Sequence, residues 1–187
     1  MQRRDFLTAI AAVPFAVTLS RGALAQGRAS VSMQIIEDMQ KNWKALLAPG
    51  TEVPAATPPV KRTEAEWRKL LTPEQFHILR EEGTERAGTS PLNAEKRPGV
   101  FACAGCGLPL FTSLMKYESG TGWPSFFTTI PGALATKTDY KLLYPRTEYH
   151  CARCGGHHGH VFNDGPPPTG QRWCNNGIAL RFIPQKA

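Results

Sequence analysis

Four of the five cysteines occur in two Cys-x-x-Cys pairs, a spacing that could bind a metal ion. The first pair is CAGC, from Cys103 to Cys106, and the second is CARC, from Cys151 to Cys154; a glycine follows each. Two such pairs supply four thiolates, the ligand set of a closed, structural Zn²⁺ site. The trailing glycine allows a tight turn, so that amide N–H groups can face the thiolates. We predict one structural Zn²⁺ on these four residues; the alternatives are a redox-active pair or two structural disulfides.

The fifth cysteine, Cys174, lies in the segment QRWCN and could act as a nucleophile. If this segment is extended, Arg172, Cys174 and Asn176 share one face, and Trp173 and Asn175 occupy the other. A guanidinium beside a thiol favours the thiolate, the reactive form, and Asn176 could hydrogen-bond a substrate or orient another group. The alternative is a buried cysteine that packs as a small apolar side chain. The polar neighbours argue against that interpretation.

The segment GGHHGHVFND places three histidines, His157, His158 and His160, shortly before Asp164. Histidine clusters often bind metal, but the four paired cysteines already complete a tetrahedral site. His157 and His160 are therefore free for proton transfer, and we expect His158 to point elsewhere. The alternative is that all three are ordinary surface or hydrogen-bonded histidines.

The tryptophan Trp123 lies between a glycine and a proline in the segment SGTGWPSF. This rigid turn could place the indole as the apolar wall of a binding pocket. Simple packing in the core is the alternative.

The elements that must position these residues fall into two regions of the chain. Residues 33–47 have apolar residues at helical spacing, and the stretch TEVPAATPPVKR that follows is a proline-rich linker or an extended arm. Capping boxes at Thr63 and Thr72 predict two helices, the second of which ends at Gly83. After Gly83, glycine and proline recur every few residues and the apolar runs are short, which predicts a mainly β domain of short strands and loops.

The first 25 residues, MQRRDFLTAIAAVPFAVTLSRGALA, have the pattern of an export signal. They contain paired arginines, a modest apolar run and a small-x-small cleavage motif. A membrane anchor would need about 20 apolar residues, so we expect no stable membrane insertion. We predict a cleaved twin-arginine signal peptide over residues 1–25, a helix and linker over 26–60, and export by the twin-arginine machinery to a bacterial periplasm.

Together these motifs resemble the methionine-R-sulfoxide reductases of the B type. The resemblance runs from about Arg62 to Phe182, and its motifs are RTEAEWRKLLTPEQFHILREEGTE, GVFACAGCGLPLF, SGTGWPSF, HCARCGGHHGHVFNDGP and RWCNN. It implies a reductase domain over residues 61–187, mainly β, with two antiparallel sheets around a structural zinc site and short helices before them.

The resemblance also implies roles for individual residues. A cysteine at the position of Cys174 is the family's catalytic nucleophile, and the four paired cysteines bind a structural zinc in many members. Trp123 matches the tryptophan that packs on the sulfoxide methyl group. The matched polar residues of the site are His157, His160, Asp164, Arg172 and Asn176.

The implied reaction is attack of the Cys174 thiolate on the sulfoxide sulfur of protein-bound or free methionine-R-sulfoxide. His160 or His157 supplies a proton to the oxygen, and Cys174 becomes a sulfenic acid that a thiol must reduce. Many members have a resolving cysteine where this chain has Thr121, so we expect an external reductant, either a thioredoxin-like protein or a small thiol. Trp173 replaces the more usual tyrosine, with little expected effect.

Two other classes of function account for part of the sequence. A non-catalytic zinc module that binds protein or nucleic acid explains the paired cysteines and the net charge of +7. The positive charges are not clustered, however, and export makes nucleic acid an unsuitable partner, so we expect none. A thiol–disulfide oxidoreductase would use one Cys-x-x-Cys pair, but neither class explains Cys174, the histidines and Trp123 together.

Overall fold

A computed structural model describes residues 33–141 and 144–185. The predicted signal peptide, residues 1–25, lies outside the described residues. The helices are α1 (residues 33–41), α2 (Glu64–Leu70) and α3 (Pro73–Glu81). The strands are β1 (Gly99–Cys103), β2 (Pro109–Thr112), β3 (Lys116–Tyr117), β4 (Ser125–Phe126), β5 (Leu134–Asp139), β6 (Arg146–Cys151), β7 (His157–Phe162), β8 (Arg172–Asn175) and β9 (Leu180–Pro184).

Capping boxes begin α2 and α3, as the sequence predicts. The Thr63 side chain accepts a hydrogen bond from the backbone N–H of Glu66, and the Glu66 carboxylate accepts one from the N–H of Thr63 at 2.7 Å. Thr72 and Gln75 make the same reciprocal pair at the start of α3. Each box satisfies two N–H groups that would otherwise have no partner within the helix.

The end of α3 differs slightly from the prediction. The helix ends at Glu81, and the left-handed residue that follows is Glu82, with φ of 55°, not Gly83. Gly83 donates its N–H to the carbonyl of His77 at 3.0 Å. A Cβ at Gly83 would collide with the His77 ring, so the glycine is needed for close approach instead of for a positive φ.

Two antiparallel sheets form the rest of the domain, which confirms the predicted fold class. The smaller sheet has the strand order β2-β1-β9, and the larger has the order β3-β4-β8-β7-β6-β5. The catalytic candidates all lie on or beside the larger sheet. Strands β7 and β8, which carry the histidines and Cys174, are neighbours at its centre.

Aromatic side chains join the two sheets through the core. Phe111 of the smaller sheet stacks on Phe126 of the larger at 4.0 Å between ring centroids, and Phe101 meets Phe126 edge to face at 5.1 Å. Tyr149 packs edge to face on Phe111. All four rings are fully buried, and burial of each contributes about 1.5–3 kcal/mol to folding.

The segment before Thr63 packs against this domain. Its helical part is divided, because α1 ends at residue 41 and Trp43–Leu46 forms a separate 3₁₀ turn. The Gln40 side chain donates to Thr128 Oγ1 at 2.7 Å, and Gln185 near the other end of the chain donates to the carbonyl of Ala45 at 2.9 Å. Within the described ranges, no helix is both long enough and apolar enough to cross a membrane.

Candidate active site

Four cysteine sulfurs converge where the two sheets meet. Cys103 ends β1 in the smaller sheet and Cys151 ends β6 in the larger. The sulfurs all lie within 4.8 Å of one another, and the closest pairs are Cys103 with Cys154 at 3.7 Å and Cys106 with Cys151 at 3.5 Å. A tetrahedral ion with Zn–S bonds of ~2.3 Å places its sulfurs about 3.8 Å apart. The four side chains therefore fit one structural Zn²⁺ that would crosslink the sheets.

The cysteine geometry favours the metal site over the disulfide and redox alternatives. All five cysteines are free thiols, and both of the shortest sulfur–sulfur approaches join one Cys-x-x-Cys pair to the other. A redox-active pair would instead bring the two cysteines of one motif together. The trailing glycines, Gly107 and Gly155, have φ of 76° and 66° and donate to the carbonyls of Cys103 and Cys151. These two N–H groups thus close the turns, and the turn at Gly107 lets the N–H of Leu108 face the Cys106 sulfur, as predicted for the amide groups of these turns.

Cys174 lies in the middle of a row of side chains that crosses the larger sheet. Its partner on β7 is His160, and its partner on β4 is Ser125. Directly paired residues of antiparallel strands project to the same face. The row continues to Glu148 on β6 beside His160. The sheet register therefore brings the candidate nucleophile and the histidine together from positions 14 residues apart in the chain.

The pocket in front of Cys174 has a volume of about 130 Å³. It can hold the end of one side chain but not a drug-sized ligand. Two of its walls are aromatic, Trp123 and Phe162. Its principal lining residues are Trp123, Arg146, His160, Phe162, Cys174 and Asn176. Larger hollows exist elsewhere on the described surface, such as one lined by residues 44–53, but that one contains no nucleophile.

Burial and charge act in opposite directions on Cys174. Burial raises the pKa of the Cys174 thiol above its ordinary value, while the Arg172 guanidinium and the Thr121 hydroxyl lower it. Burial has the larger effect, so Cys174 is a thiol in the substrate-free protein at neutral pH. Arg172 lowers the pKa of Cys174, as predicted from the sequence, but this effect is smaller than the increase caused by burial.

Arg172 and Asp164 form a pair behind the nucleophile. Arg172 Nε and Nη2 donate to the two carboxylate oxygens of Asp164 at 2.8 and 2.9 Å. The guanidinium also lies over the Phe162 ring, 4.3 Å from its centroid. Arg172 is buried, so this pair fixes the ring that walls the pocket and places a positive charge near Cys174.

His160 is held by a carboxylate and an arginine. Its Nε2–H donates to Asp139 Oδ2 at 2.8 Å, and the same oxygen accepts from Arg146 Nη2 at 2.6 Å. With Nε2 bound in this way, Nδ1 is the nitrogen free to exchange a proton. Burial lowers the pKa of His160 and Asp139 opposes that change, so the net shift is downward and the ring is neutral at pH 7.

His157 stands behind His160, not in the pocket wall. The two rings are 5.6 Å apart between centroids. His157 Nδ1 donates to Glu148 Oε1 at 2.8 Å, and Lys137 lies 3.1 Å from the other oxygen of Glu148. Its Nε2 is buried and has no hydrogen-bond partner among residues 33–141 and 144–185. The structure therefore places His160, of the two, against the nucleophile.

Asn176 lines the pocket but uses its amide to hold the backbone. Its Oδ1 accepts from the N–H of Glu85 at 2.9 Å, and its Nδ2 donates to the carbonyl of His158 at 3.0 Å. His158 points to the opposite side of the sheet, as predicted, where it is fully buried and stacks on Tyr149. Asn175 also lies on that side, 3.2 Å from His158 Nδ1. The strand face predicted for Arg172, Cys174 and Asn176 ends at Asn175, beyond which the chain turns into a 3₁₀ helix.

Trp123 is fixed in the pocket wall by the segment after α3. The indole N–H donates to the carbonyl of Glu85 at 3.1 Å. The Glu85 carboxylate in turn accepts from the N–H groups of Gly177 and Ile178, just after β8. Gly122, with φ of 89°, accepts from Gly88 at 2.7 Å and lies too close to it for a Cβ. One buried glutamate thus links the tryptophan loop to the nucleophile strand.

Thr121 lies next to Cys174. Its hydroxyl hydrogen-bonds Cys174, and it is 2.9 Å from Ser119 Oγ. Ser119 continues to Ser125, the β4 partner of Cys174, at 2.7 Å. The hydroxyls of Thr121, Ser119 and Ser125 therefore form a hydrogen-bonded chain beside Cys174.

Sequence reasoning did not find several residues that shape this site. Asp139 and Glu148 orient the two histidines, Arg146 lines the pocket, and Glu85 holds Trp123. Asp139, Arg146 and Glu148 lie in strands with no motif of their own, and only the sheet register brings them to the site. Two signals were available in the sequence: Glu148 is close to the HCARC motif, and Glu85 ends the motif RTEAEWRKLLTPEQFHILREEGTE.

Comparison with known proteins agrees with the geometry. The SelR domain family matches residues 71–184. A peptide methionine sulfoxide reductase MsrB from Agrobacterium fabrum is 51% identical over 129 residues, which cover 68% of this chain and 96% of that protein. An MsrB from Methanosarcina barkeri is 51% identical over 124 residues, covering 66% and 87%. Peptide methionine sulfoxide reductase B1, chloroplastic, from Arabidopsis thaliana is 51% identical over 121 residues, covering 64% and 60%.

The family match spans more than half of the chain and includes all eleven residues singled out from the sequence. With two antiparallel sheets, a four-cysteine metal site and a pocketed cysteine beside a histidine, the chain belongs to the MsrB family of oxidoreductases.

Proposed function

We propose that this protein reduces methionine-R-sulfoxide, in proteins and as the free amino acid, to methionine. The observation that carries the proposal is the position of Cys174, paired with His160 in a pocket walled by Trp123. The relatives' names support the substrate class, since all are peptide methionine sulfoxide reductases. The small, partly aromatic pocket fits a methyl sulfoxide at the end of a flexible side chain.

The proposed reaction starts from the protonation states of the substrate-free site. Cys174 is a thiol and His160 is neutral, so the thiol can pass its proton to Nδ1 of His160 as the sulfur attacks the sulfoxide sulfur. His160 then delivers that proton to the sulfoxide oxygen. The S–O bond of the substrate and the transient sulfur–sulfur bond break, the hydroxyl oxygen forms a new S–O bond to Cys174, methionine leaves, and Cys174 becomes a sulfenic acid. Arg172 stabilises the transient thiolate.

Asp139 and Trp123 support these steps without changing covalently. Asp139 holds the Nε2–H tautomer, so that Nδ1 faces the proton's path, and it stabilises the histidine when it is briefly charged. Trp123 packs on the methyl group and thereby orients the sulfoxide lone pair and oxygen. His157 and Glu148 brace the His160 ring from behind.

We infer that an external thiol regenerates the enzyme. Thr121 stands where a resolving cysteine would be, and the other four cysteines form the zinc site. A thioredoxin-like protein or a small thiol would attack the sulfenic acid, release water and form a mixed disulfide, which a second thiol reduces. The pocket must therefore admit the reductant after methionine leaves.

We also propose that the protein works in a bacterial periplasm on oxidised proteins. The support is the twin-arginine pattern of the first 25 residues. Replacement of both arginines by lysine should leave the uncleaved precursor in the cytoplasm. Normal cleavage of that variant would instead indicate the general secretion route.

An assay on the separated sulfoxide epimers tests the proposed activity. The zinc-loaded enzyme should consume N-acetyl-methionine-R-sulfoxide with dithiothreitol as reductant and leave the S epimer unchanged. The Cys174→Ser variant, with equal zinc content, should consume neither. Equal consumption of both epimers, or activity in the serine variant, would refute the proposal.

A further inference from the structure

The segment that precedes the family domain covers the zinc site. The SelR match begins at residue 71, so residues 43–60, here called the arm, lie outside it. The arm leads from the 3₁₀ turn at Trp43–Leu46 across the surface to α2. Its partly buried apolar residues pack against the core cluster that includes three of the zinc cysteines. They are Trp43, Leu46, Leu47, Ala56 and Val60.

One backbone hydrogen bond ties the arm to the second Cys-x-x-Cys turn. The N–H of Val60 donates to the carbonyl of Arg153 at 2.7 Å. Arg153 lies between the two cysteines of the CARC pair, and its Nη1 donates to the carbonyl of Cys106 at 2.9 Å. The arm, the second turn and the first turn are thus linked through a single residue.

The arm also approaches the most exposed of the four ligands. Cys103, Cys151 and Cys154 are buried, and only Cys106 keeps intermediate exposure. The next residue, Gly107, has Arg181 and Pro54 at its open side: a Cβ placed there would be 3.3 Å from Arg181 Nη2 and 3.7 Å from Pro54 Cγ. The arm therefore restricts the side from which solvent or a chelator can reach Cys106.

Two positively charged side chains lie close to the zinc cysteines. Four thiolates around Zn²⁺ carry a net charge of −2. Arg153 donates to the carbonyl of Cys106, and Arg80 donates to the carbonyl of Cys154 at 3.0 Å. Hydrogen bonds and charges around a metal's ligands hold those ligands in place and tune the metal site. Because Val60 binds the Arg153 carbonyl, loss of the arm would free the CARC turn, which carries one of these two arginines.

We propose that the arm is a clasp over the zinc site, which slows loss of the metal without contributing to turnover. Local opening of the arm exposes Cys106 and loosens the CARC turn, and the metal leaves from this opened form. Local opening can occur far more often than global unfolding when few contacts hold a segment. The clasp therefore sets the lifetime of the metal site, independently of the chemistry at Cys174.

Zinc release from the full mature chain tests this proposal. The Val60→Pro variant removes the N–H that reaches Arg153 and leaves the Arg153 carbonyl without this partner, so its zinc should transfer to the chelator 4-(2-pyridylazo)resorcinol about tenfold faster. Ala56→Asp, which introduces a charge under the arm, should act in the same direction. Glu52→Pro, at an exposed arm position, is the matched control and should release zinc at the parent rate.

Two further measurements separate a clasp from general destabilisation. Activity toward methionine-R-sulfoxide before zinc loss should equal that of the parent, and zinc should leave faster than the global unfolding followed by circular dichroism. Equal release rates in the parent and both arm variants would overturn the proposal. So would release that keeps pace with global unfolding in every variant. If the parent bound zinc but reduced no sulfoxide, the proposed function would fail while the clasp could still be measured.

Discussion

At the scale of single residues, the site balances a buried thiol against polar neighbours. Burial raises the pKa of Cys174, and Arg172 and Thr121 only partly offset that effect. The nucleophile is thus stored as a thiol, which is less exposed to adventitious oxidation than a thiolate. The proposed reaction therefore requires an acceptor for the thiol proton, and we propose His160, the β7 partner of Cys174, for that role.

His160→Ala should slow the chemical step by about 10²–10⁴-fold, the range typical for loss of a general acid–base group. Fold and zinc content should stay unchanged, because the ring is at the pocket surface and is not a metal ligand. Single-turnover release of methionine, measured by rapid quench, isolates this step. His157→Ala is the comparison, and its smaller loss would separate the bracing histidine from the proton-transfer histidine. An equal or larger loss in His157→Ala would reverse the two roles.

At the scale of elements, β7 carries a histidine that links stability to pH. His158 is fully buried, and burial lowers its pKa from 6.5 to about 3. The unfolded chain binds the proton at a higher pH than the folded protein does. Stability from neutral His158 is therefore complete above pH 6.5 and is lost as the pH falls from 6.5 towards 3.

Denaturant unfolding across this pH range should show a loss of a few kcal/mol that the His158→Phe variant lacks. The difference between the two proteins at each pH is the informative quantity, because it cancels the effect of acid on the zinc thiolates. A constant difference from pH 7 to pH 4 would mean that His158 titrates normally in the folded protein.

Elements with local signals could be predicted from the sequence, and those set by pairing could not. Thr63 and Thr72 predict the starts of their helices because a glutamate or glutamine follows each of them three positions later. Both capping boxes form in the structure. The paired cysteines likewise carry their own spacing. Asp139 and Glu148 reach the site only because β5, β6 and β7 are adjacent, and a one-residue shift of register would turn both away. No local pattern encodes that register.

At the scale of the whole molecule, the zinc site and the aromatic core perform the same task. Both join the smaller sheet to the larger, through Cys103 with Cys154 at one place and through Phe111 with Phe126 at another. The row of side chains that includes Cys174 and His160 lies on the larger sheet alone. We therefore expect the metal to support this row through the fold and to take no part in the proposed reaction.

Cys103→Ser should lose bound zinc and much of the free energy of unfolding, because structural zinc binding contributes directly to folding. Zinc content by elemental analysis and unfolding by circular dichroism measure the two effects. Cys174→Ser is the matched control, since it changes one sulfur to oxygen outside the metal site and should keep both properties. If Cys103→Ser were as stable as the parent, the metal site would not hold the sheets together.

The central claim is that Cys174 takes the sulfoxide oxygen and then has no partner in its own chain. The most direct measurement treats the reduced, zinc-loaded enzyme with one equivalent of methionine-R-sulfoxide in the presence of dimedone, followed by peptide mass spectrometry. We predict one methionine released per enzyme, a dimedone adduct on Cys174, no disulfide and no free zinc. A disulfide between Cys174 and one of the zinc cysteines, accompanied by zinc release, would contradict the account.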